Sequence, residues 1–313
     1  MTSVTIGSLI TTVKAGNTLG EGVFWDQQTQ SIWWTDIEDA SIFQYMIDTK
    51  QLKAYSMPYR VGCFALIKDD PRLIVAFDRG IALYDLNSAE IEWLAEPEEH
   101  LPCNRFNDGR VDRQGRFWAG TMVDEHSRHV MSAFDSEPSI ATLGALYCVD
   151  HYARCQKMLT GIGTANSLCW SPDSQYMYHA DSTKQQITRF DFDSEAVALK
   201  TPCCFATTEG HVFPDGSEVD ADGYLWNAQW GGGKIVRYTP DGDIDISLSL
   251  PVSNPTSVAF GGKNLDWLII TSAKHGLSDQ QLTLEPQAGD LFIYQLHGIN
   301  GLAANRYLSK SRL

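Results

Sequence analysis

The sequence predicts an all-β chain of six repeated sheets set around one axis, and three observations carry that reading. The first is a hairpin signature: Val111-Asp112, two turn residues, Gly115, then Phe117-Trp118, which reads as strand, tight turn and strand. The second is its recurrence. Val219-Asp220-Ala221-Asp222-Gly223-Tyr224-Leu225-Trp226 repeats the design closely. Looser copies run from Trp25-Asp26 to Trp33-Trp34, from Ile67-Lys68-Asp69 to Leu73-Ile74-Val75, from Trp170-Ser171 to Tyr176-Met177-Tyr178, and from Phe260-Gly261 to Trp267-Leu268-Ile269. With Asp26, Asp69, Asp112, Ser171, Asp220 and Gly261 as equivalents, the period is roughly 43 residues, longer where a loop is inserted. The third is that helical periodicity is scarce throughout. Residues 1–313 are read as one domain.

Taken in order, Val4 to Val13 alternates loosely and reads as a strand, which in a closed ring would supply the outer edge of the last sheet. Gly20-Glu21-Gly22 opens the first repeat, with Ile32–Asp36 and Ser41–Tyr45 as its middle strands. The second repeat runs from Val61-Gly62-Cys63-Phe64 to Ile81–Tyr84. The third opens at Arg105-Phe106-Asn107-Asp108-Gly109, where Asn-Asp-Gly signals a turn and Asp108 is expected to fix the local loop. Leu146–Val149 is expected to close this blade. Thr164 to Asp173 opens the fourth repeat and Phe213 to Asp220 the fifth, with Ile187–Asp191 and Ile235–Tyr238 as their third strands. Trp230-Gly231-Gly232-Gly233-Lys234 reads as a hairpin turn between blades five and six, since no helix follows as a phosphate loop requires. Asp124 to Leu143 is an inserted polar loop, and Asp124, Glu125, His126 and His129 in it match no zinc signature. His275 to Gly289 is a long loop in the last repeat.

Five positions upstream of the six anchors stand Glu21, Phe64, Asn107, Asn166, Asp215 and Thr256. If each repeat is one radial sheet, equivalent positions converge on the axis. Glu21, Asn107, Asn166 and Asp215 are then expected around one point, with Phe64 as an apolar wall at the channel mouth. Two ionised acids repel unless a cation lies between them. Hard oxygen donors suit Ca²⁺, Mg²⁺ or Mn²⁺ and do not exclude Zn²⁺ or Fe²⁺. The plain alternative for Glu21 is a solvated side chain in a turn. Arg105, two residues before Asn107 and on its face of an extended segment, either holds substrate oxygens or makes a surface ion pair.

A net charge of -15 opposes nucleic acid and anionic membranes as partners and suits a neutral substrate. No run approaches a membrane span and the first twenty residues lack a signal pattern, so the expected location is cytoplasmic. Seven Cys without a C-x-x-C pair fit reduced, mostly buried thiols, with Cys203-Cys204 packed rather than bridged. No nucleophile elbow, His-Glu-x-x-His or dinucleotide fingerprint is present.

Gly20-Glu21-Gly22, Arg105 to Gly109, Gly120-Thr121-Met122, Ala165-Asn166, and Pro214-Asp215-Gly216 through Val219-Asp220-Ala221-Asp222-Gly223 resemble the family of regucalcin (senescence marker protein 30), gluconolactonase and related bacterial sugar lactonases. Trp226 to Gly233 and Lys274 to Asp279 resemble the bacterial members, so the likeness spans nearly the whole chain. The resemblance implies a six-bladed β-propeller with a divalent metal in its central channel, Ca²⁺ first and Zn²⁺, Mg²⁺, Mn²⁺ or Fe²⁺ as alternatives. It implies Glu21, Asn166 and Asp215 as metal ligands, Arg105, Asn107 and Glu125 as substrate contacts, and Asp215 as the catalytic acid/base. The implied reaction is hydrolysis of a small neutral sugar lactone to its aldonic acid. Either Asp215 or a cation-lowered water pKa would supply the nucleophile. A non-enzymatic calcium-binding protein, an aryl-ester or organophosphate hydrolase and an interaction propeller are the rival readings. Two departures stand out: Ser167 where Gly commonly follows the Asn, and Glu218 as an extra acid near Asp215.

Overall fold

The computed structural model describes residues 5–124 and 142–310; Glu125, His126 and His129 lie outside them. The strands form six four-stranded antiparallel sheets, a six-bladed β-propeller. The inner strands are Gly20–Asp26, Val61–Ile67, Asn104–Val111, Ala165–Trp170, Phe213–Val219 and Pro255–Gly261. Each touches the next around the ring, and the sixth touches the first. The sixth blade takes its outer strand, Thr5–Val13, from the start of the chain, paired antiparallel with Leu291–His297. That pairing ties the ring shut, as the sequence led one to expect.

The hairpin signature has a specific cause. Asp112 is fully buried and accepts from the backbone N–H of Gln114 (3.0 Å) and Arg116 (2.9 Å), from Arg116 Nε (2.6 Å) and from Trp118 Nε1 (2.9 Å). One carboxylate thus shapes the turn and fixes the Trp that packs into the next blade, where Trp118 meets Trp170 and Phe192 edge-on. Asp220 repeats the device with Asp222, Tyr224, Trp226 Nε1 and Arg237. Apolar clusters fill each gap between blades, with Trp34, Trp118 and Trp226 fully buried in them.

Three boundaries differ from the sequence reading. Leu146–Val149 does not close the third blade, because Cys155–Ile162 adds an outer strand beyond it. The Trp230 to Lys234 turn lies inside the fifth blade, joining Leu225–Trp230 to Lys234–Tyr238, with Ile244–Ser249 still to follow. The loop after His275 contains one helix, Asp279–Leu284, started by a capping box of Ser278 and Gln281. Cys203 and Cys204 are unbridged but exposed on the outer strand Ala198–Thr207, not packed.

The last segment of chain runs across the inner strands. The Tyr307 backbone pairs with Leu66 and Lys68, its hydroxyl donates to Asp150 O (2.7 Å), Arg306 pairs with Asp26 (2.6 Å), and Leu308 N donates to Gly115 O. This strap fastens blades one, two and three to the end of the sixth. Among the described residues no helix is long and apolar enough to cross a membrane.

Asp112→Ala strips the acceptor from buried Arg116 and Trp118 together, and a buried unpaired charge costs about 3–5 kcal/mol. Equilibrium urea unfolding of the variant is expected to show that loss; a midpoint within error of wild type would contradict it.

Candidate functional site

Each inner strand carries one more residue than the strand beside it. The register slips between Glu21 and Phe24, Val61 and Cys63, Phe106 and Gly109, Asn166 and Cys169, Pro214 and Ser217, and Pro255 and Val258. A bulge of this kind re-aims the side chains around it. Here it lets Glu21, Asn107, Asn166 and Asp215 meet in one axial cavity of about 280 Å³, which Arg105 also lines. Asn107-Asp108-Gly109 is therefore a bulged strand and not a turn.

Blade two explains why Phe64 does not join them. Its extra residue falls at Gly62, so Phe64 lies beyond the bulge and is absent from the cavity wall. It packs instead against Phe24 (5.2 Å between centroids) and Trp33 (6.4 Å). Gly62 fits because a Cβ there would sit 2.5 Å from Phe106 O. Thr256, the sixth position, is buried and donates to Gly20 O, joining the first and last blades.

Ser167 stands at φ 57°, a left-handed conformation that favours glycine. Hydrogen bonds to Asp215 O, Ser217 Oγ (2.9 Å) and Asn227 Nδ2 (3.2 Å) hold it there. Asp108 is structural, as expected, but across blades: it accepts from Gly109 N (2.8 Å) and Leu168 N (3.1 Å). Glu218 turns away from the cavity, pairs with Arg110 at 2.5 Å, and lines a second pocket further along the strands.

Around the cavity the polar atoms form a connected set. Arg105 is buried, not a surface ion pair; its Nη1 donates to Asn107 Oδ1 (2.8 Å) and Phe106 O (3.0 Å), and its Nε lies 3.8 Å from Asp124. Asn107 Nδ2 donates to Ala165 O and to Asn166 Oδ1, both at 3.0 Å. Asn166 Nδ2 donates to Ser182 Oγ (2.9 Å). Glu21 and Asp215 touch each other, and Asp215 Oδ1 is buried with no hydrogen-bond partner. Burial, then the charge of Asp108, pushes the Glu21 carboxyl up to about 8. Burial, then Glu21 itself, raises Asp215 well above the usual carboxylate range.

Two touching acids and an unpartnered carboxylate oxygen describe a place short of positive charge. Among the described residues no three His, Cys, Asp or Glu side chains gather as a metal-binding group. The two carboxylates and the amide oxygen of Asn166 are an all-oxygen set of the kind that fits a hard divalent cation. Glu38, Asp124, Ser182, Trp230 and His275 also line the cavity. All five sit at or just past the end of the second strand of their blades, a position that a count along the inner strands does not reach. Glu125 follows Asp124 directly and lies outside the described residues.

Residues 19–274 match the family described as the SMP-30/gluconolactonase/LRE-like region. The chain is 36% identical over 297 residues to L-arabinolactonase of Azospirillum brasilense, covering 95% of this chain and 94% of that protein. It is 33% identical over 282 residues to 6-deoxy-6-sulfogluconolactonase of Pseudomonas putida, covering 90% and 92%. The solved structure of the calcium-binding protein regucalcin from Agrobacterium tumefaciens superposes with a TM-score of 0.85 at 28% identity, covering 97% of this chain and 98% of that one.

An acid whose folded pKa exceeds its unfolded value opposes folding once ionised. The Glu21 contribution is whole below about pH 4.5 and is lost as pH rises toward 8. Chelated protein is thus expected to lose thermal stability across that window. Glu21→Gln should flatten the slope, read as Tm against pH by calorimetry. Identical slopes for variant and wild type would contradict the repulsion.

Proposed function

This chain belongs to the SMP-30/gluconolactonase/LRE-like family, and from that premise we propose that it hydrolyses a small neutral sugar lactone to the aldonic acid. The observation that carries the reading is the buried, unpartnered Oδ1 of Asp215, facing Glu21 in a cavity sized for one small molecule. Glu21, Asn166 and Asp215 would hold one divalent cation, Ca²⁺ in the first instance. When bound, the ion supplies Lewis-acid polarisation of the lactone carbonyl and offsets the two carboxylates.

The remaining work falls to side chains. Arg105, braced by Asn107 and Phe106 O, points donors at ring hydroxyls, with Asn107 beside it. Trp230 and His275, with ring centroids 6.3 Å apart and planes tilted by 56°, offer an aromatic corner for the C–H face of the sugar. Glu125 would add a substrate contact, on the family resemblance alone. Asp215 takes a proton from the attacking water as its oxygen joins the carbonyl carbon. The bond to the ring oxygen then breaks, and Asp215 returns the proton to that oxygen. Residues 1–313 act as one domain in this reading, in the cytoplasm.

A metal-binding protein without turnover would need the same ligands but not Arg105, Asn107 and the aromatic wall. Five- and six-carbon aldonolactones assayed beside an aryl ester, with chelator and then with Ca²⁺, Mg²⁺, Mn²⁺ or Zn²⁺ restored, test the proposal. Lactone turnover that vanishes on chelation and returns with an ion is expected. Preference for the aryl ester, or full activity in metal-free protein, would overturn it.

The two carboxylates should separate by role. Asp215→Asn keeps an oxygen but loses the proton acceptor, so turnover is expected to fall by a factor of about 10² or more even at saturating metal. Glu21→Gln weakens the ion's hold alone, so excess metal should restore much of the rate. Equal rescue of both variants would remove the base role from Asp215.

A further inference from the structure

We infer that Ser182 is a positioning residue: its hydroxyl fixes the Asn166 amide so that oxygen, not nitrogen, is offered to the cation. This rests on the metal-binding reading above. The two ends of an amide are told apart by what surrounds them. Here two chains of hydrogen bonds with fixed sense converge on Asn166.

The first begins at Pro214, whose carbonyl can only accept. Ser182 Oγ donates its one proton to Pro214 O at 2.6 Å, so toward Asn166 the hydroxyl can only accept. The atom it meets at 2.9 Å must be the amide nitrogen. The second begins at Arg105, which can only donate, and marks Asn107 Oδ1 as oxygen at 2.8 Å. Asn107 Nδ2 then donates to Ala165 O and on to Asn166 at 3.0 Å, so the atom there must be oxygen. The two chains start on different blades and give one answer.

The fixed sense matters because the local preference runs the other way. Two carboxylates that lack a cation, one with a bare buried oxygen, favour an N–H turned toward them. An amide free to rotate would satisfy them and close the cation's place. Ser182 withholds that rotation from the nitrogen end, as Asn107 does from the oxygen end. It also ties Asn166 to the backbone of Pro214, the residue before Asp215, so two of the three ligands are located by one hydroxyl. Ser182 lies in a short turn, Ser182–Lys184, just past the end of the second strand of its blade.

The test is calorimetric titration of Ca²⁺, with Mn²⁺ as a second probe, into chelator-stripped protein. Ser182→Ala is expected to weaken the Kd roughly tenfold, about 1.4 kcal/mol. Ser182→Thr, which keeps the hydroxyl, should stay within about twofold. The deciding arm is a double-mutant cycle with Asn166→Asp. A carboxylate has no wrong end, so in that background Ser182→Ala should cost less than about twofold. A merely structural role would lower affinity equally in both backgrounds, and that outcome overturns the inference. Unchanged affinity in Ser182→Ala with Asn166 intact also overturns it. Wild-type protein that binds neither ion would overturn the metal reading, and this inference with it.

Discussion

One extra residue per inner strand is the constraint on which the rest of this protein depends. In a regular strand successive side chains face opposite sides of the sheet. A radial sheet then sends those side chains into the two neighbouring blades and leaves the axis to backbone. The bulge breaks that alternation at one level of the ring. Glu21, Asn107, Asn166 and Asp215 reach the channel there while Val23, Leu168 and Val219 stay in the interblade core. The local costs are visible where they fall. Gly22 at φ 60° and Ser167 at φ 57° take left-handed backbone, and Ser167 needs three hydrogen bonds to remain there.

Charge along the axis is sorted by the same geometry. Asp108 and Glu218 are buried or half-buried acids with their own compensation, two backbone N–H groups for the first and Arg110 for the second. Arg105 lines the cavity and is held in place by Asn107, with Asp124 nearby. That leaves Glu21 and Asp215 as the pair without an ion-pair partner of their own, with only the more distant charge of Arg105 acting on Glu21, at the level where an amide oxygen is also presented. Like charges this close stay ionised only with a cation between them. The proposal of a divalent ion thus rests on which acids lack partners, not on how many acids there are.

Much of this was open to sequence reasoning, for identifiable reasons. The hairpin of Asp112 and Trp118 is chemically demanding, since one carboxylate must meet a turn and an indole together, so its spacing survives in the repeat. Counting back from that turn reached the axis correctly in four blades. It failed in blade two, where the bulge moved to Gly62, and in blade six, where Thr256 turns to Gly20 O instead of the cavity. Asn107-Asp108-Gly109 looked like a turn because bulges and turns draw on the same residues. Ser182 and Trp230 were missed because the count followed the inner strands alone; with Glu38, Asp124 and His275 they reach the cavity from the end of the second strand of their blades.

The strap formed by the end of the chain gives the cavity its direction. Leu302 to Asn305 meet Arg110 and Glu218 further along the inner strands, and only about 40 Å³ remains between them. The Tyr307 and Arg306 contacts then hold that end against blades one to three. Among the described residues, Glu38, Trp230 and His275 wall the cavity away from that end. The ring fixes the oxygen donors through strand register, which single substitutions barely move. The mouth is made of strand ends and loops, which can change without disturbing the ring. In the proposed function, reaction chemistry and substrate choice would be carried by different parts of the fold, the first by bulged strands and the second by what surrounds the opening.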